Sequence, residues 1–104
     1  MPDTDVFMTR KKLLPLFALL AGLSAACASI PSQEMSDARQ AVQAAQEADA
    51  GTLAPEQFSE AQKLLEEARG ALSLGNYSEA RASALRAKEA AIRAREQALD
   101  AQTK

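Results

Sequence analysis

The sequence has no histidine, no tryptophan and only one cysteine among its 104 residues. Without histidine, the most common general base and proton shuttle of enzymes is missing. A single cysteine cannot form an intrachain disulfide, and metal sites that combine several cysteines and histidines are excluded by count. We therefore expect a protein without enzymatic activity, without catalytic residues and without a metal or other cofactor.

An excess of positive charge is also missing. The chain carries 14 acidic and 12 basic side chains, and its net charge is −2. Proteins that bind nucleic acids usually present a strongly basic face. Nucleic acid is therefore not an expected partner.

The one long apolar run lies near the N-terminus and ends at the cysteine. Residues 10–12 are Arg-Lys-Lys, residues 13–23 are mostly apolar, and the small residues 24–26 lead to Cys27. A basic, an apolar and a small-residue segment in this order are typical of a secretory signal. Residues before Met8 include two acids, which do not suit such a signal, so we expect translation to begin at Met8.

The end of this signal resembles the lipobox of bacterial lipoproteins, although Ser24 stands where that motif usually has Leu, Val or Ile. The resemblance implies cleavage before Cys27 and acyl chains on its sulfur, so that the protein is anchored in a membrane. The next residue is Ala28 and not aspartate; by resemblance to enterobacterial sorting rules, this favours the outer membrane over retention in the inner membrane. The expected organisation is a signal over residues 1–26, a tether over 27–32 and a helical domain over 33–104.

Two alternatives to lipidation remain open. An ordinary signal peptidase could cleave after Ala26 or Ala28, because a small residue lies two positions before each site. The product would be a soluble periplasmic protein. An uncleaved anchor is the other alternative, although a spanning helix needs about 20 apolar residues and the clearly apolar run has only eleven.

The remainder of the chain is rich in alanine, glutamate, glutamine, arginine and leucine, which favour helix. Gly51 and Gly75 divide it, Pro55 can begin a helix, and Ser32 and Asn76 can cap helices. The sequence therefore predicts an all-α fold, a small antiparallel three-helix bundle with helices at about 33–50, 55–74 and 76–102. A hairpin of the second and third helices with a loosely attached first helix is the alternative.

Apolar residues recur every three or four positions in each predicted helix, which indicates the buried faces. The expected core positions are Met35, Ala38, Val42 and Ala45 in the first helix, Phe58, Ala61, Leu65, Ala68 and Leu72 in the second, where Leu64 and Ala71 widen the face, and Tyr77, Ala80, Ala84, Ala87, Ala91, Ala94, Ala98 and Ala101 in the third.

A second apolar line runs beside the alanines of the third helix. Together with a row of bases it forms a possible interaction face, which consists of Leu85, Ile92, Leu99, Arg81, Lys88 and Arg95. The bases could pair with residues 33–75, where eight acids exceed three bases. Alternatively, they could contact anionic lipid or peptidoglycan.

The order of several short segments closely resembles one family of exported proteins. These segments are Asp37-Ala38-Arg39, Ala54-Pro55-Glu56, Ala61 with Leu64-Leu65 and Ala68, Gly75-Asn76-Tyr77, and Ala80-Arg81. They resemble the short, alanine-rich bacterial lipoproteins classed as domain of unknown function 4398. The resemblance implies a helical, exported protein and no catalytic residues.

The function expected from these features is that of a periplasmic helical interaction or spacer module, anchored in the outer membrane through Cys27. The expected partners are the membrane and either another protein or a second copy of this chain, and peptidoglycan is a possible further partner. Lys104 opens one alternative, because murein lipoproteins, which are similar in their lipidated start and alanine-rich helix, are joined to peptidoglycan through a terminal lysine. A small carrier of lipids or other hydrophobic ligands is a further alternative.

Overall fold

Residues 30–104 are described by a computed structural model, in which residues 31–104 form one compact unit. The predicted signal segment, Cys27 and the start of the predicted tether lie outside the described residues. Four helices follow one another: α1 Ser32–Glu47, α2 Ala50–Leu53, α3 Pro55–Ser73 and α4 Tyr77–Thr103. The described part contains no strand, which confirms the prediction of an all-α fold.

The three long helices pack against one another, and α4 makes the most extensive contacts with both α1 and α3. Near the starts of α1 and α4, the Nε of Arg81 donates to Oε1 of Glu34 at 3.2 Å. Near their ends, Nε2 of Gln102 donates to the carbonyl oxygen of Ala48 at 2.8 Å. Helices α1 and α4 are therefore parallel, and α3 runs back between their two ends.

The first helix ends earlier than the sequence predicted. Gly51 was expected to end it, but α1 ends at Glu47 and Asp49 adopts the left-handed conformation with φ 62°. Aspartate is among the residues that tolerate this conformation. The early turn buries Ala50 completely and lets Gly51 lie inside the short helix α2, so the structure has four helices where three were predicted.

Gly75 ends α3 as predicted. Its φ is 75°, a value that glycine adopts without steric cost. The N–H of Gly75 donates to the carbonyl oxygen of Leu72 at 3.0 Å, and the N–H of Asn76 donates to that of Ala71 at 2.8 Å. These two bonds form a Schellman motif, which satisfies carbonyl groups at the end of α3.

The predicted helix starts at Pro55 and after Asn76 are correct, but neither Ser32 nor Asn76 forms the predicted side-chain cap. Pro55 is the first residue of α3, where its missing N–H costs nothing. Ser32 lies inside α1 and makes no capping bond. Asn76 directly precedes α4, but its side chain does not cap the backbone. Its Nδ2 donates to Oε2 of Glu79 at 2.7 Å.

Alanine dominates the core. Two clusters of buried residues run along the molecule, and the large side chains in them are Met35, Phe58 and Leu65. The seven α4 alanines without any exposed surface are Ala80, Ala84, Ala87, Ala90, Ala91, Ala94 and Ala98. Side chains as small as these allow neighbouring helices to pack close to one another, because the distance between helix axes depends on the side chains at the contact.

Several core assignments need correction. Tyr77 is 38% exposed and Ala101 is exposed, although both continue the predicted buried stripe of α4. Val42 and Leu72 are only partly buried. Ala90 and Ser83 are buried although the predicted faces omitted them, because α4 faces two neighbours and its buried sector is wider than one stripe.

Within residues 30–104, the helices are all too short or too polar to cross a bilayer.

The two glycines near the end of α3 have opposite expected effects on stability. Gly70→Ala should raise the free energy of unfolding by about 0.5–1 kcal/mol, because Gly70 is helical and an added Cβ meets nothing within 4 Å. Gly75→Ala should lower it by about 1–2 kcal/mol because of the left-handed backbone. Urea unfolding followed by circular dichroism measures both, and equal effects would contradict the assignment of Gly75 as the helix terminator.

Enlarging one buried alanine should destabilise the packing of α4. Ala91→Leu adds three carbon atoms where no surface is exposed, and overpacking of this kind costs about 1–3 kcal/mol. Ala101→Leu is the matched control, because Ala101 is exposed and surface changes usually stay within about 0.5 kcal/mol. Thermal unfolding of both variants should separate them, whereas similar melting temperatures would contradict the close packing at Ala91.

Candidate interaction surface

Helix α4 presents an apolar line on the side away from its alanines. Leu85, Ile92 and Leu99 are 46%, 42% and 37% exposed. They are seven residues apart, so successive side chains lie about 10.5 Å apart along the helix. An apolar row of this length on a small domain is an expected site of contact with another molecule.

The row of bases lies between this line and α1. Arg81 is bonded to Glu34 of α1, and Nζ of Lys88 lies 4.0 Å from Oδ2 of Asp37, also on α1. Both pairs are partly exposed, so each is expected to stabilise the fold by only about 0–1 kcal/mol. The acids of α1 therefore place Arg81 and Lys88, which agrees with the interpretation that the bases pair between helices.

A row of acids, which the sequence analysis missed, flanks the other side of the line. Glu89 and Glu96 follow Leu85 and Ile92 by four positions, and both are exposed. Each comes directly after a base, Lys88 or Arg95, and this repeated base-acid pair at a spacing of seven was the signal in the sequence. The outer face of α4 thus consists of the line Leu85, Ile92 and Leu99, with bases on one side and acids on the other.

Next to this face, α1 and α4 enclose a shallow open depression of about 270 Å³. Its lining residues are Ala44, Glu47, Ala48, Arg95, Leu99 and Gln102. The hydrogen bond from Gln102 to the carbonyl oxygen of Ala48 crosses it. This depression extends the outer face of α4 onto the surface of α1.

A second open depression, of about 290 Å³, lies where α2 meets α3. Its lining residues are Leu53, Ala54, Pro55, Glu56, Gln57 and Gln97. The Oε1 atom of Gln57 is buried there, and within residues 30–104 it has no hydrogen-bond partner. Since Gln57 is only partly buried, solvent can reach other atoms of this side chain.

Carboxylates do not gather into a metal site in the described part of the chain, where no group of three or more possible ligands is found. What the outer face of α4 offers is apolar contact along a helix, together with two charged rows that can pair across an interface. Helix-to-helix contact is therefore the chemistry that this surface supports best. Of the predicted site residues, the structure places Leu85, Ile92, Leu99, Arg81, Lys88 and Arg95 together on this side of α4.

Lys104 is exposed and directly follows the end of α4. Because α1 and α4 are parallel, it lies at the end of the domain that is opposite to residue 31. Cys27 falls outside the described residues.

A family model described as Domain of unknown function (DUF4398) matches residues 33–104. The chain belongs to the DUF4398 family. This match confirms the resemblance on which the family was predicted, and it covers α1 to α4 almost completely. Comparison with curated proteins and with solved structures gives no match.

Shortening side chains on the outer face should cost the DUF4398 domain less stability than shortening a buried one. Ile92→Ala is expected to lower the free energy of unfolding by about 1 kcal/mol, because nearly half of this side chain is already in water. Leu65→Ala, at a buried position in α3, should cost about 2–5 kcal/mol. Urea unfolding at low protein concentration measures both, and a larger loss for Ile92→Ala would show that the outer face belongs to the core.

Proposed function

We propose that this protein is a non-enzymatic lipoprotein of the bacterial outer membrane, anchored on the periplasmic side through acyl chains on Cys27. Its DUF4398 domain, taken as a small antiparallel three-helix bundle with α2 as a connecting turn, acts as an interaction and spacer module in the cell envelope. The observation that carries this proposal is the basic, apolar and small-residue order of residues 10–26, which ends at the only cysteine.

Anchoring at Cys27 would define which end of the domain faces the membrane. Ser32 lies five positions after Cys27, so the Cα atoms of these two residues can be at most about 18 Å apart. The starts of α1 and α4 and the turn between α3 and α4 would then lie close to the lipid surface. Leu74 in this turn is 86% exposed. This apolar side chain would lie near the lipid surface.

The opposite end of the domain would project into the periplasm. Helix α4 has 27 residues and therefore spans about 40 Å. A module anchored at the start of α1 would present the whole outer face of α4 along this length. More than one acyl chain on Cys27 is needed, because a single chain binds a membrane only marginally.

A covalent tether to peptidoglycan is the second candidate function. The parallel arrangement of α1 and α4 favours it, because Lys104 lies at the end opposite to residue 31 and would point away from the anchored side. If Lys104 is also the carboxyl terminus in the cell, the tether resembles that of murein lipoproteins. The outer face of α4 has no role in this alternative, which separates the two candidates.

Replacing the cysteine should remove the protein from the outer membrane. Cys27→Ser removes the sulfur that carries the acyl chains, so the variant should lose its association with the outer membrane. Ser29→Ala is the control, because it changes a neighbouring small residue and leaves the cysteine in place. Fractionation of envelopes measures the difference, and an unchanged distribution of Cys27→Ser would contradict lipid anchoring at this residue.

The mass of the mature protein distinguishes the two candidates directly. It should be measured on protein from purified envelopes, with and without muramidase digestion. Acyl mass on Cys27 with an unmodified Lys104 supports the anchored interaction module. A muropeptide on Lys104 supports the tether, and a mature chain without lipid contradicts both.

A further inference from the structure

The charged rows beside the apolar line of α4 are arranged so that the same face on a second copy can pair with them. Lys88 and Arg95 lie on one side of the line, and Glu89 and Glu96 lie at almost the same heights on the other side. The rise per residue along a helix is about 1.5 Å, and each acid directly follows a base in the chain. The heights of the two side chains along the helix axis therefore differ by only about 1.5 Å. One face of one helix therefore carries two rows of opposite sign separated by apolar side chains.

We propose that a second copy of this chain packs on the outer face of α4, with the two α4 helices parallel and in register around a two-fold axis. In this arrangement Leu85, Ile92 and Leu99 each meet their own counterparts. The proposal specifies the partner of the interaction module described above. It therefore rests on the proposed function, although its geometry comes from α4 alone.

The two-fold symmetry decides which rows meet. When two identical helices face each other in parallel, a two-fold axis along the helices places the left row of one opposite the right row of the other. Lys88 then faces Glu89 of the second copy, and Arg95 faces Glu96 of the second copy, and symmetry forms each pair twice. Opposite charges across an interface stabilise the correct register and orientation.

The antiparallel arrangement brings like charges together. A two-fold axis perpendicular to the helices at Ile92 leaves each row on its own side. Lys88 then faces Arg95 of the second copy, and Glu89 faces Glu96 of the second copy. Like charges across an interface act against a partner or an orientation. The same residues therefore favour the parallel pair and disfavour the antiparallel one.

These charges are largely available for such pairing. Within residues 30–104, Arg95, Glu89 and Glu96 take part in no ion pair. Lys88 has only the 4.0 Å contact with Asp37, and its side chain remains 42% exposed. Each half-exposed apolar side chain of the line also has surface left to bury.

The anchor favours the same geometry independently. Two chains held through Cys27 in one membrane have their domains oriented in the same direction, so their α4 helices are parallel from the start. Confinement to the membrane also raises the effective concentration of one copy near another. An antiparallel pair would have to turn one of the two domains away from its own anchor.

Cysteine cross-linking of the full chain in cells tests this arrangement. Single variants Leu85→Cys and Leu99→Cys are treated with copper phenanthroline, which oxidises two nearby thiols to a disulfide. A disulfide requires Cα atoms about 4.4–6.8 Å apart. The parallel pair places each residue opposite its own copy, so both variants should form dimers on their own.

Lys63→Cys on the exposed side of α3 is the matched control. The dimer fraction at positions 85 and 99 should exceed that of the control at least fivefold. In an antiparallel pair about Ile92, two copies of residue 85 would lie about 21 Å apart, and only a mixture of Leu85→Cys with Leu99→Cys would cross-link. That result, or dimer fractions equal to the control, would overturn the proposal.

The unsubstituted chain must be oxidised as a further control, because it contains Cys27. An acylated sulfur cannot form a disulfide, so no dimer is expected from it. A dimer of the unsubstituted chain would contradict acylation and thus the proposed function. The dimer fraction at positions 85 and 99 relative to position 63 would still test the parallel pairing. Failure of the proposed anchoring and failure of the proposed pairing therefore give different results.

Charge reversal tests the rows themselves. Reversing the acids with Glu89→Lys and Glu96→Lys in the Leu85→Cys chain places bases opposite bases, and the dimer fraction should fall at least fivefold. Reversing the bases with Lys88→Glu and Arg95→Glu should have the same effect. When the two reversed chains are expressed together, bases meet acids on both sides and the mixed dimer should form. Absence of the mixed dimer while both variants keep their helical circular dichroism would contradict pairing through these rows.

Discussion

The close approach of α1 and α3 to α4 across alanine side chains is the constraint on which the rest of this domain depends. Seven alanines of α4 have no exposed surface, and six of them belong to the two core clusters that also include residues of α1 and α3. An alanine gains little from burial in comparison with leucine. The stability of so thin a core therefore depends on close packing along the whole of α4 and on the few large side chains that fill the space between helices, Met35, Phe58 and Leu65.

This use of alanine in the core explains why the larger apolar side chains of α4 are found outside it. Leu85, Ile92 and Leu99 would not fit between helices that approach so closely, and they remain on the outer face. Their neighbours Arg81 and Lys88 reach acids of α1, while Glu89 and Glu96 extend into solvent. The same helix thus combines a buried face of small residues with an exposed face suited to another helix.

The ends of the helices show two different ways of reversing the chain. At Gly75 the reversal is local, because a glycine with positive φ and two backbone hydrogen bonds is sufficient. At Asp49 a residue with a side chain adopts the left-handed conformation, and the gain is the burial of Ala50 and Ala54 against the rest of the core. Glycine at position 51 therefore does not end α1, although it was the obvious candidate in the sequence.

The sequence by itself determined the all-α fold, the family and most of the core. Helix formation, helix starts and helix ends depend on residues within a few positions of one another. The alanines every three or four residues, Pro55 and Gly75 were therefore sufficient to predict the long helices and most of their buried faces. Tertiary structure alone decided where α1 ends, because Asp49 bends the chain only for contacts made elsewhere. It also decided that Ala90 and Ser83 are buried and that Tyr77 is exposed, since burial on α4 depends on where two neighbouring helices lie and where they stop. The pairing of Arg81 and Lys88 with Glu34 and Asp37 was decided there too, because forty or more residues separate the partners in the chain.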